Sequence, residues 1–172
     1  RLEILGRSMD IEPTGLPAMV TTFFGASNQI LKDKGEPILK HPFRFVIETM
    51  DGKTIRLAPG TISYTSHGPA GISWTVRSLS RECELICQGE MQYDGYADFR
   101  LTLMPKKTFP VKDICLEIPV EKDKATYMMG LGHEGGYRTA NWEWRWDTAK
   151  NQDMLWLGDV NGGIRIKWKA EN

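Results

Sequence analysis

The chain has 172 residues, enough for one domain spanning residues 1–172 that buries roughly 70% of the surface its unfolded form would expose. Its 22 basic and 22 acidic residues are spread along the sequence, so no charge block steers it toward phosphates, which argues against nucleic acid and anionic lipid as partners. No apolar run approaches the 18 or so residues of a membrane-spanning helix, which argues against a membrane span. The chain opens at Arg1 with no methionine and no charged-then-apolar leader, and reads as an excised or processed piece, with any targeting signal lying outside it.

Taken in chain order, the hydrophobic residues recur with a period of two. Phe43, Phe45 and Ile47 alternate with Arg44 and Glu48, and Ile72, Trp74 and Val76 with Ser73, Thr75 and Arg77. Cys83, Leu85 and Cys87 follow against Glu82, Glu84 and Gln88, then Ala97, Phe99, Leu101 and Leu103 against Asp98, Arg100 and Thr102. Ile114, Leu116 and Ile118 form another set, and Ile164, Ile166 and Trp168 the last, against Arg165, Lys167 and Lys169. Such alternation marks half-buried strands of antiparallel sheet. Asp51-Gly52, Asp94-Gly95 and Asn161-Gly162-Gly163 stand where hairpin turns are needed. No stretch sustains a 3.6 period; the segment from Asp147 to Asp153 offers at most a helical turn. The predicted fold is therefore all-β, a two-sheet antiparallel β-sandwich of jelly-roll-like character. Trp74 and Trp168, set among aliphatic neighbours, are expected in its core.

Cys83 and Cys87 share one face of one strand about 13 Å apart at roughly 3.3 Å per residue, too far to bridge. Cys115 alternates with Ile114 and Leu116, so it is expected to point away from the buried side. Three free thiols follow, with no metal-ligand spacing and no nucleophile-and-base arrangement around them.

Trp142, Trp144, Trp146 and Trp156, four of the six tryptophans, lie between two glycine-rich stretches, Gly130-Leu-Gly-His-Glu-Gly-Gly-Tyr-Arg138 and Gly158-Asp-Val-Asn-Gly-Gly163. Trp142, Trp144 and Trp146 alternate with Glu143, Arg145 and Asp147, a pattern shared by a strand with an aromatic core face and by a ligand platform. Flat rings beside carboxylates, amides and arginines are what a protein uses to stack on a sugar ring and hydrogen-bond its hydroxyls. The candidate carbohydrate-binding residues are His133, Glu134, Tyr137, Arg138, Asn141, Trp142, Trp144 and Trp146, gathered where loops converge. His133 and Glu134 have no histidine partners nearby, since His41 and His67 lie in unrelated segments. Asp147, Asn151 and Asp153 lack the glycine and closing glutamate of a calcium loop. No catalytic residue, metal site or cofactor is assigned.

Several stretches carry a family resemblance. Leu2-Glu-Ile-Leu-Gly-Arg-Ser-Met-Asp-Ile-Glu-Pro-Thr-Gly-Leu-Pro-Ala-Met-Val-Thr-Thr-Phe-Phe24, Gly89-Glu-Met-Gln-Tyr-Asp-Gly-Tyr96 and Tyr127-Met-Met-Gly-Leu-Gly are three of them. The Gly-Gly-Tyr-Arg138 turn with its following Trp-x-Trp, and Leu155-Trp-Leu-Gly-Asp159, complete the set. Together they resemble the amino-terminal β-sandwich module of bacterial glycosidases of the glycoside hydrolase family 123 type and their uncharacterised relatives. The resemblance implies a catalytic aspartate-glutamate pair on a downstream (β/α)₈ barrel, with the substrate's own N-acetyl group as nucleophile. This chain contains no Asp-Glu dipeptide. It also implies a secreted or envelope-associated bacterial protein that continues past Lys169-Ala-Glu-Asn172. The expectation is a noncatalytic accessory domain that braces its own downstream catalytic domain and contributes loops to glycan binding. The alternatives are a free-standing carbohydrate-active enzyme using the aromatic cluster, and a protein-interaction module.

Overall fold

A computed structural model describes residues 1–25 and 27–169, so Ala170-Glu-Asn172 at the end of the chain lie outside the described residues. The fold is all-β and sandwich-like, built from antiparallel sheets, as the period of two predicts. The chain divides into two compact units, residues 1–20 with 41–119 and residues 21–40 with 120–172.

The first unit holds β1 (Leu2–Ile4), β2 (Arg7–Ile11), the opening half of β3 (Pro17–Phe24), β5 (Arg44–Thr49), β6 (Ser63–Gly68), β7 (Gly71–Leu79), β8 (Cys83–Gln92), β9 (Ala97–Pro105) and β10 (Val111–Glu117). β6, β7, β8 and β9 form one sheet in that order. Trp74, Val76 and Met91 from that sheet are buried against Met9 of β2, and Leu2, Ile4, Ile11, Val20 and Phe99 pack around them. This apolar layer between two sheets is the unit's core, and the alternation read in the sequence is what places it there.

Trp74 is the fixed point of that core. Its indole N–H donates to the Gly15 carbonyl at 2.9 Å, and Phe99 meets it edge-on at 5.8 Å between centroids. Gly89 lies directly across the ladder from Trp74, and a Cβ placed on it would overlap Cε2 and Cζ2 of the ring. The glycine is required there because the indole lies flat on its backbone.

Cys83, Leu85 and Cys87 point inward as the alternation predicts, and all three cysteines are free thiols. Burial pushes the Cys87 thiol up to about 12. The expectation for β10 is reversed. Ile114 and Leu116 are 45% and 38% exposed, while Cys115 is half-buried. β10 pairs with β5 in a sheet of two strands whose ladder shifts register between Val111 and Asp113, so the aliphatic side of this strand is left partly uncovered. The Asp94-Gly95 turn joins β8 to β9, with Gly95 at φ +88°, and Gly52 turns the chain after β5 at φ +78°.

The second unit holds the closing half of β3, which pairs with β4 (Leu31–Pro37), and a sheet of β11 (Tyr127–Gly130), β12 (Met154–Gly158) and β13 (Gly163–Lys167). Two single 3-10 turns, Lys122–Lys124 and Thr148–Lys150, are the only helical pieces among the described residues; the second falls where a helical turn was expected. Ile38, Leu39, Ala125 and Met128 are its buried apolar residues. The β12–β13 turn is seated on this core: Gly162 faces Thr22 and Ile38 so closely that a Cβ there would lie 3.0 Å and 3.1 Å from their methyls. Trp168 is half-buried, not the core residue the sequence predicts.

Candidate functional site

The candidate residues all belong to the second unit, and a backbone turn sets their positions. At the end of β11 the chain reverses through Gly130, Leu131 and Gly132, all at positive φ, and Gly130 and His133 exchange backbone hydrogen bonds of 3.0 Å and 2.9 Å. A side chain on Gly130 would collide with the Met154 carbonyl. The returning segment then runs back beside β11. The Met128 N–H donates to the Gly136 carbonyl, and Arg138 N–H to Thr126. Tyr137 is thereby placed across from Tyr127 with ring centroids 5.2 Å apart, yet remains 76% exposed.

His133 and Trp142 form a second aromatic contact, edge-on at 5.1 Å. The indole N–H of Trp142 donates to the Leu131 carbonyl at 3.0 Å, which anchors the ring while leaving the residue 43% exposed. His133 Nδ1 accepts the Gly135 N–H at 3.2 Å, so the ring is oriented by its own turn. Arg138 is committed to structure: its guanidinium donates to the carbonyls of Ala125 at 2.8 Å and Thr139 at 3.1 Å. Glu134 and Asn141 are exposed, and the Asn141 carbonyl accepts the Thr139 hydroxyl at 3.0 Å.

Residues 141–147 make no strand, contrary to their alternation. The rings find local partners in place of a ladder. Trp144 is half-buried, stacked on Trp168 at 6.1 Å and edge-on to Trp146 at 5.8 Å. Trp146 is the outer member of the trio, 38% exposed, and it lines an open depression with Arg145, Asp147 and Lys150. Among the described residues no group of three or more His, Cys, Asp or Glu side chains is placed to hold a metal ion.

The sequence gives no sign of the buried charge that supports this unit. Lys124 is buried, and its ammonium donates to Glu36 at 2.6 Å and to Asp159 at 3.1 Å. Glu36 also receives Lys32. The hydrogen bond from Lys124, helped by Lys32, holds the Glu36 carboxyl at about 2, and the Glu36 carboxylate in turn raises the Lys124 ammonium. The other oxygen of Asp159 accepts the N–H groups of Asn161 at 2.7 Å and Gly162 at 2.8 Å, so the same carboxylate shapes the β12–β13 turn. Glu36 and Lys124 are 88 positions apart, beyond the reach of any local pattern.

The chain is thus an all-β protein whose aromatic candidate residues gather in the loops of its second unit. The family model for glycoside hydrolase 123, third domain, matches residues 1–172, and the chain belongs to that family. The match is to a third domain and lends no support to the amino-terminal position that the resemblance implied. No curated protein and no solved structure matches the chain.

Proposed function

We propose that this chain, acting as a single domain, is a noncatalytic accessory domain of a secreted or envelope-associated bacterial glycoside hydrolase, and that its aromatic loops bind glycan. The supporting observation is the openness of rings within one stretch of chain: Tyr137, Trp142 and Trp146 are each partly or largely solvent-exposed, and the Trp142 indole N–H is held by a hydrogen bond to a carbonyl. A ring already held in place and partly exposed loses little entropy when a sugar stacks on it. Family membership supplies the setting, an enzyme that acts on glycans.

The test is affinity electrophoresis and tryptophan fluorescence against a panel of immobilised and soluble glycans. Binding by the intact chain that falls at least tenfold in Trp142→Ala or Trp146→Ala, with the melting temperature unchanged, is the expected result. No binding by the intact chain, or loss only in variants that also unfold, overturns the reading.

A bracing role toward the enzyme's own catalytic domain has separate support in the uncovered Ile114 and Leu116 of β10. Leu116→Lys is expected to weaken association with that domain when the two are mixed, and unchanged association would remove this second role.

A further inference from the structure

We propose that the depression beside Trp146 takes an anionic sugar, one bearing a uronate carboxylate or a sulfate ester, with Trp146 as the ring platform and Arg145 as the anion receptor. This rests on the glycan-binding reading and narrows it to one class of ligand.

Arg145, Trp146 and Asp147 are consecutive, and all three line the same depression with Lys150. In a strand, neighbouring side chains point to opposite faces, so Arg145 would be turned away from Trp146. Because residues 141–147 form no ladder, cation and ring share one surface. The charges in the depression are not equivalent. The Asp147 carboxylate is occupied: Oδ1 accepts the Ala149 N–H at 3.0 Å and Oδ2 faces the Lys150 ammonium at 3.7 Å. Lys150 therefore offsets Asp147. Arg145 is exposed and makes no ion pair among the described residues, so the net charge there is that of one guanidinium beside an indole. A planar fork of N–H donors matches a carboxylate or a sulfate in two parallel hydrogen bonds. A neutral sugar would stack on Trp146 and leave that fork unused.

The test is calorimetric titration of the chain with matched pairs: an oligogalacturonide and its methyl ester for the carboxylate, and a sulfated galacto-oligosaccharide and its desulfated form for the sulfate ester. The acidic member of one pair should bind about tenfold or more tightly than its neutral counterpart, as expected of a charge-assisted bidentate contact, and the pair showing the preference identifies the anion. Arg145→Gln should erase the preference between the members of a pair, while Trp146→Ala should weaken both members. Added salt should erode only the acidic advantage. Equal binding of acidic and neutral members, with Arg145→Gln silent, overturns the anionic assignment and leaves the glycan reading intact. Absence of binding to every pair, when a neutral glycan from the wider panel does bind, overturns it equally. A chain that binds no glycan at all removes both proposals.

Discussion

Gly89→Ala is the sharpest perturbation of the core, because the structure fixes both what the new methyl meets and what prevents escape. A Cβ at position 89 would overlap Cε2 and Cζ2 of Trp74 and sit 2.6 Å from Nε1. The ring cannot slide away freely. Its N–H is bonded to the Gly15 carbonyl, and Gly15 is itself wedged against Cys87 and Val76, where even a Cβ would lie 3.0 Å from each side chain. Overpacking of this kind costs about 1–3 kcal/mol. Displacing the indole far enough to break its buried hydrogen bond adds about 1–3 kcal/mol. Against this stands the 0.5–1 kcal/mol or so that alanine ordinarily gains over glycine in a strand. A net loss of about 3 kcal/mol follows, or about 6–12 °C in Tm for a chain of this length. Thermal and urea unfolding, followed by near-ultraviolet circular dichroism, measure it. In a Trp74→Leu background, where the obstructing ring is gone, Gly89→Ala should cost less than half as much. A Gly89→Ala protein that melts within about 2 °C of its parent, or equal costs in the two backgrounds, would refute the steric account.

Other expectations can be checked with the same material. Lys124→Met strips Asp159 of its cation and leaves Glu36 with Lys32 alone, and should destabilise by about 2–4 kcal/mol in urea titrations. Glu36 titrates at about 2 in the folded chain against an ordinary value of 4.5, so its stabilising effect is complete above 4.5 and disappears as pH falls toward 2. Melting curves across that range should drop less steeply in Lys124→Met than in the parent. Trp144→Ala should lower stability by about 1–3 kcal/mol, because that ring is packed between Trp146 and Trp168, whereas Trp142→Ala should change it by less than about 1 kcal/mol. Under native conditions a thiol reagent should modify Cys115 well before Cys83 and Cys87; simultaneous labelling of all three would show that β8 does not face the core.

The strands that were legible from the sequence are those with one face buried and one wet. In β7, β8 and β9 an apolar residue stands at nearly every second position because the sheet rests on a core, and the pattern records that contact directly. β4 and β6 carry no such record. Leu31–Pro37 and Ser63–Gly68 are largely or wholly exposed, and their ladder bonds to neighbours hold them as strands with no help from side-chain burial. The tryptophan segment fails in the opposite direction. Its alternation has the form of a strand, but Trp142 bonds a carbonyl of the preceding turn and Trp144 stacks on Trp168, so the rings are satisfied outside a sheet. In β10 the alternation is genuine, yet which side is covered depends on the rest of the fold, and the sequence carries no information on that. The candidate residues did fall within one loop system, because glycines that permit tight reversal were visible beside the aromatics. Which of them is spent on the backbone, as Arg138 is, depends on carbonyl positions that only the folded chain supplies.

The ion cluster around Lys124 also sets a timetable for synthesis. Glu36 leaves the ribosome 88 residues before Lys124, and Asp159 follows another 35 residues later. At about 5–20 residues per second the first wait alone lasts roughly 4–18 s. During that interval residues 21–40 have emerged without the part of their unit that begins at residue 120, while the segment from 41 to 119 is free to complete the first unit around the opening twenty residues. The polar composition of β4, with Lys32, Asp33, Lys34 and Glu36 in a row of seven, suits a strand that must stay soluble while it waits. Ribosome profiling combined with limited proteolysis of stalled chains would reveal this as a β3–β4 hairpin that is cleavable until residue 159 has cleared the exit tunnel.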